Sequence, residues 1–151
     1  MKKILLACSF LLFACCLQAQ IKNPVSWTFS SKKLANKLYE VQLVATIAPK
    51  WHLYAQDAGK GPEPTSIQFA ANPLVVLDGK VLEKGKLEKS FDANFNSVLK
   101  YYSSTVTFTQ KVKLKSPAAT VLKGTITYMV CDDHQCLPPR DIPFSVKLGG
   151  Q

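Results

Sequence analysis

Past residue 20 the chain has no apolar run approaching the roughly 20 residues a membrane-spanning helix needs. No later segment is therefore predicted to cross a bilayer. Helical periodicity is missing as well, which leaves strands as the only regular element the pattern supports. There is no glycine-rich phosphate cradle, no Ser/His/Asp set and no paired carboxylates, so nucleotide-binding, triad-hydrolase and glycosidase motifs are absent. Arginine is reduced to Arg140 alone, and the lysines (Lys84, Lys86, Lys89, Lys111, Lys113, Lys115) are scattered. Lysines alternating along a strand make a solvated face more often than a nucleic-acid groove, and no nucleic-acid partner is expected.

The one long apolar run lies at the start, MKKILLACSFLLFACCLQAQ. Lys2 and Lys3 form a basic leader, Ile4 to Leu17 is apolar, and Leu17-Gln18-Ala19 offers a small residue for cleavage. Residues 1–19 read as a secretory signal peptide, too short in its apolar part to span comfortably. Residues 20–151 then form one exported domain, and the formal charge falls from +9 to +7 as Lys2 and Lys3 leave. Leu12-Phe13-Ala14-Cys15 loosely resembles a lipobox with a bulky Phe13, so a lipid anchor through Cys15 is the alternative processing. Cleavage at Ala19 removes Cys8, Cys15 and Cys16 and leaves Cys131 and Cys136, which are expected to pair in an oxidising compartment.

The remainder alternates with period two. Tyr39, Val41, Leu43, Ala45 and Ile47 interleave with Glu40, Gln42, Val44 and Thr46. Val106, Phe108, Val112 and Leu114 interleave with threonines and lysines. Ile126, Tyr128 and Val130 do the same, as do Ile142, Phe144, Val146 and Leu148. One apolar face per strand is the mark of half-buried antiparallel strands. Shorter strands are expected near Val25 to Ser30, Thr65 to Phe69, Leu74 to Leu77 and Val98 to Tyr102. Turn residues at Gly59 to Pro64, Asp78-Gly79, Ser116-Pro117 and Pro138-Pro139 separate the runs. Seven to nine strands predict an all-β, antiparallel, immunoglobulin-like β-sandwich.

Within YMVCDDHQCLPP, Cys131 shares the outward parity of Thr125, Thr127 and Met129. It is thus unlike the inward cystine of antibody domains. The pair flanks Asp132-Asp133-His134-Gln135 as a hairpin would, and facing hairpin residues suit a disulfide. Closing so short a loop removes only about 2 kcal/mol of denatured-state entropy. Three roles stay open on the residues alone: a structural staple, a redox-active pair, or a metal site of Cys131, His134 and Cys136 with His52 as a distant ligand.

Gly124 to Cys131 followed by Cys136-Leu137-Pro138-Pro139 resembles the redox segment of the N-terminal periplasmic domain of the thiol–disulfide interchange protein DsbD. That family has a strand ending in Tyr-x-x-Cys, a short acidic loop, and a second Cys before Pro-Pro. The resemblance implies an immunoglobulin-like relay without cofactor or metal, in which Cys131 and Cys136 are the redox pair and Cys136 the nucleophile of the mixed disulfide. It implies electron transfer from a thioredoxin-like periplasmic protein or a separate membrane donor to client proteins. Some family members have five residues between the cysteines, against four here. No Cys-x-x-Cys motif or hydrophobic transporter segment accompanies the pair, so the donor is expected to be another protein.

The resemblance further implies a cap loop over the cysteines, matched by Ser90 to Ser97, with Phe95 and then Phe91 as the candidate capping rings. Asp132 and Asp133 disfavour a thiolate beside them, and a protonated His134 favours one. Pro138 and Pro139 are expected to stiffen the exit from Cys136. Trp51 and Tyr54 read as aromatics at the core edge. The rival class is an immunoglobulin-like binding or assembly module whose disulfide is purely structural.

Overall fold

A computed structural model describes residues 23–150, all strand and loop with no helix among them. The signal-peptide reading and Cys15 lie outside the described residues. The strands are β1 (Val25–Ala35), β2 (Leu38–Ile47), β3 (His52–Tyr54), β4 (Ser66–Phe69), β5 (Val75–Gly85), β6 (Glu88–Asp92), β7 (Ser97–Tyr102), β8 (Thr105–Leu114), β9 (Thr120–Cys131) and β10 (Cys136–Leu148). One sheet has the order β1-β2-β8-β5. The other has the order β10-β9-β3-β7-β6, with β4 beside the middle of β9, Gly124 to Thr127. Every pairing is antiparallel. The chain is an all-β, immunoglobulin-like sandwich.

The alternating runs explain the layering. Val41, Leu43 and Ala45 of β2 and Val106, Phe108 and Val112 of β8 line the inner face of the first sheet. They meet Leu122, Ile126, Tyr128 and Val130 of β9 and Phe144, Val146 and Leu148 of β10. Full burial of each such side chain stabilises the fold by about 1.5–3 kcal/mol before entropy is counted. Trp27 of β1 bridges the sheets, its ring 5.9 Å from Phe108 and 5.4 Å from Tyr128. Polar clasps join the sheets at their margins. Ser31 donates to the Lys147 carbonyl at 2.8 Å on one side. On the other, the Glu83 carboxylate accepts from the Gln56 amide at 2.7 Å and the Tyr102 hydroxyl at 2.9 Å.

Two stretches with turn chemistry are not turns. Asp78-Gly79 lies inside β5, where the register against β8 shifts between Asp78 and Leu82. Gln110, on the inward face of β8, donates to the Asp78 and Gly79 carbonyls there. Pro138-Pro139 likewise lies inside β10, where the register against β9 shifts between Leu137 and Arg140. β10 is an edge strand, and a bulge on an edge accommodates residues that cannot donate to the ladder. Among the described residues there are ten strands rather than seven to nine. The two that no expected run covers are β3, only three residues long, and β6, an exposed edge whose sequence Glu-Lys-Ser-Phe-Asp has no apolar alternation to announce it.

Candidate functional site

Ile126, Tyr128 and Val130 face the core, so Cys131 projects from the outer face of its sheet. It is nevertheless only 2% exposed. A second apolar cluster covers it, made of Tyr54, Ala58 and Leu99 with Tyr101 and Met129 at the margin. Cys136 faces it across the β9–β10 hairpin and is exposed. The two sulfurs are joined, with Cα atoms 4.0 Å apart. One cysteine is thus sealed and its partner exposed.

The connecting turn is organised by Asp132, whose carboxylate accepts from the His134 and Gln135 amides, each at 2.9 Å. The Asp132 amide donates to the Gln135 carbonyl at 2.9 Å. Facing it is the β6–β7 hairpin, built the same way. Asp92 accepts from the Asn94 and Phe95 amides at 2.8 and 3.3 Å, and Asn96 takes a positive φ of 46°. A cleft of about 450 Å3 separates the two turns, and Phe95 and Asp92 line one wall while Asp132 to Cys136 line the other.

The expected cap segment is this hairpin: Ser90 to Asp92 end β6, and only Ala93 to Asn96 are loop. Ser90 and Asp92 line the cleft, whereas Phe91, between them on the alternating strand, does not. Phe91 is 62% exposed, opposite Val98 on the other face. Phe95 is 45% exposed and faces the cysteines across the cleft. Gly61 makes its position available, because a Cβ there would lie 2.9 Å from the Phe95 ring.

His52 also belongs to the site. It faces Cys131 in the β3–β9 ladder, so Cys136, Cys131 and His52 form one row across three strands. The next row on that face carries Tyr54, Tyr101 and Glu88. The imidazole packs against Tyr101 with ring centroids 4.6 Å apart, and its Nε2 is 3.2 Å from the Tyr54 hydroxyl. Burial pushes the His52 pKa below its ordinary value, against opposing pulls from Asp133, Asp132 and Glu88. The Tyr54 pKa is pushed up to about 12, by burial first and then by Asp92 and Tyr101, which keeps its hydroxyl protonated.

Tyr54 is therefore a wall of the site rather than a core-edge ring, while Trp51 on the opposite parity is in the core. Tyr101, Leu99 and Met129 carry no motif of their own. The alternation Trp51-His52-Leu53-Tyr54 was the available signal that His52 and Tyr54 share a face. His134 and Asp133 are exposed on the turn, and Pro138 and Pro139 are exposed beside Cys136 in β10. The candidate metal ligands Cys131, Cys136, His134 and His52 all line the cleft. Both sulfurs are engaged in the disulfide, and among the described residues no set of three or more His, Cys, Asp or Glu is arranged to hold a metal ion.

Comparison with known proteins locates this arrangement. The family model "Thiol:disulfide interchange protein DsbD, N-terminal" matches residues 19–147. Among solved structures, the N-terminal periplasmic domain of ScsB from Proteus mirabilis superposes with a TM-score of 0.55 at 18% identity. The match covers 87% of this chain and 49% of that one, so this chain spans about half its length. The reduced N-terminal domain of DsbD from Neisseria meningitidis gives a TM-score of 0.51 at 18% identity over 82% of this chain and 86% of that one. A complex between the DsbD and PilB N-terminal domains of the same organism gives 0.51 at 15% identity, over 83% and 87%. No curated protein sequence matches the chain. The chain belongs to the family of DsbD N-terminal domains, and its chemistry at the family level is thiol–disulfide interchange.

Proposed function

We propose that this domain is an exported relay that takes reducing equivalents from a thioredoxin-like protein or a separate membrane donor and passes them to client proteins through Cys131 and Cys136. The observation that carries the reading is the asymmetry of the disulfide, with Cys131 sealed at 2% exposure and Cys136 open at the mouth of the cleft. A donor thiolate reaches only Cys136. It attacks the Cys136 sulfur, a mixed disulfide forms, and the electron pair of the broken bond passes to Cys131. A second donor thiol then releases the reduced domain, and the client is reduced by the reverse sequence. Phe95 acts as the cap, holding a ring over the approach until a partner displaces it. The complex of a DsbD N-terminal domain with a PilB N-terminal domain supports a protein partner for this domain as well. Residues 1–19 act as the export signal, and Cys15 carries a lipid if processing occurs there instead. The mass of the processed protein separates these two.

Equilibration of the wild-type disulfide with glutathione and dithiothreitol tests the relay. A potential in the range of thioredoxin-like partners is expected, whereas a structural disulfide lies below roughly −300 mV. In the same setting, Cys131→Ser is expected to be trapped through Cys136 by a thioredoxin-like protein lacking its resolving cysteine. Phe95→Ala is expected to speed that trapping with little change in stability. A disulfide that survives strong reductant, with neither cysteine trappable, returns the domain to the binding-module class.

A further inference from the structure

His52 is the ring that the row of cysteines runs into. Directly opposed residues of an antiparallel pair carry Cβ atoms about 4.5–5.5 Å apart on the same face. Cys131 therefore has Cys136 on one side and His52 on the other. It is sealed beneath Tyr54, Ala58 and Leu99, where bulk water is excluded. A thiol in apolar surroundings holds its proton tightly, and only the thiolate attacks a disulfide. Cys131 therefore needs a base each time it resolves a mixed disulfide.

The residues around the cleft leave few candidates for that base. No lysine or arginine lines it. From the β9–β10 turn it receives Asp132, Asp133 and His134, from β6 Asp92, from β3 Tyr54 and from β7 Tyr101, with Glu88 of β6 paired beside Tyr101. Asp132 and Asp92 have their carboxylates engaged by turn amides. Asp133 and His134 are exposed on the turn. His52 alone combines opposition to Cys131 with a basic ring, and Tyr101 and Tyr54 hold that ring in place.

We infer that His52 is the base that takes the proton from Cys131 as Cys131 resolves a mixed disulfide at Cys136. The inference rests on the relay reading and assigns a residue to it. In the first step the Cys136 thiolate attacks a client disulfide, forming the Cys136–client bond and releasing one client thiolate. In the second, the Cys131 sulfur attacks the Cys136 sulfur. The Cys131–Cys136 bond forms, the Cys136–client bond breaks, and its electron pair leaves on the client sulfur. The Cys131 proton passes to His52 and from there to solvent, and each client thiolate takes up a proton. The domain dithiol is oxidised and the client disulfide reduced. A His52 pKa depressed by burial keeps the ring neutral at pH 7, ready to accept.

The test is stopped-flow reaction of the reduced, processed protein (residues 20–151), whose only thiols are Cys131 and Cys136, with 5,5′-dithiobis(2-nitrobenzoate). Its first released thiolate reports Cys136 and its second reports resolution by Cys131. This leaving group departs unaided, so the second phase reads how Cys131 loses its proton. In the wild type, the second-phase rate should rise to a plateau with its midpoint below pH 6.5. His52→Gln should slow the second phase about 100-fold at pH 7, convert the plateau into a steady rise toward the thiol pKa, and leave the first phase unchanged. A second phase within threefold of wild type, or equal slowing of both phases, overturns the assignment. So does a wild-type profile that climbs without a break from pH 5 to 8, which needs no variant at all. The relay reading fails separately, on the potential of the wild-type disulfide.

Discussion

A half-buried imidazole stacked on Tyr101 and bonded to Tyr54 is a charge-sensitive element in the fold, whatever it does for the cysteines. Desolvation leads the causes that hold the His52 pKa below its unfolded value of about 6.5. In the window between the folded and unfolded values, the unfolded chain binds more protons than the folded one. Stability from this residue is fully present above about pH 6.5 and is lost as pH falls through the depressed folded value. Urea unfolding midpoints are therefore expected to fall between pH 7 and 5, and to fall less in His52→Gln. The carboxylates with lowered pKa, Glu40 through its bond from Gln42 and exposed Asp57 through Lys100, titrate lower and leave this window to the histidine. An unchanged pH slope in the variant would show that burial does not hold the ring neutral.

At the scale of elements, the β6–β7 hairpin is set against the loop after β3 by two glycines with different tasks. At Gly59, φ is +91° and a Cβ would lie within van der Waals overlap of the Val98 carbonyl, a backbone atom that cannot step aside. Gly59→Ala should cost more than about 1 kcal/mol in unfolding free energy. At Gly61, where φ is +156°, the atoms in the way belong to the Phe95 and Leu99 side chains rather than to backbone. Gly61→Ala should therefore lift Phe95 from its seat and speed mixed-disulfide trapping at Cys136 much as Phe95→Ala does, at a cost in stability from the backbone strain that Phe95→Ala does not carry. Equal trapping rates for Gly61→Ala and wild type would mean that Phe95 does not gate the cleft.

The same elements show what the sequence could reveal. The Ile126-Tyr128-Val130 alternation placed Cys131 on the outer face, because parity along one strand is local. The lid over Cys131 was not legible. Tyr54 and Leu99 reach it through β3 and β7, and the register between strands distant in sequence depends on the whole sandwich. Pro138-Pro139 and Asp78-Gly79 read as turns because the residues that make turns also make bulges. Gln110 at inward parity was the trace of one bulge, a buried amide supplying donors to carbonyls freed by the register shift.

For the molecule as a whole, the question is how strongly the fold and the disulfide depend on each other. The sandwich core is assembled from both sheets, and Cys131 stands outside it, in a separate small cluster. Closing the short loop between positions 131 and 136 is worth about 2 kcal/mol by chain entropy, against the 5–15 kcal/mol typical of a domain. Cys131→Ala/Cys136→Ala should accordingly unfold in urea as one cooperative transition, about 2 kcal/mol less stable than the oxidised wild type and with nearly the same m-value. A thermodynamic cycle turns this into chemistry. A disulfide that adds about 2 kcal/mol to the fold is itself favoured by the fold by that amount, which lowers its potential by only about 40 mV relative to the unfolded chain. Such a bond can open and close without unfolding the domain around it. If the double variant loses its cooperative transition, the fold and the disulfide are one unit, and the pair is a staple rather than a relay.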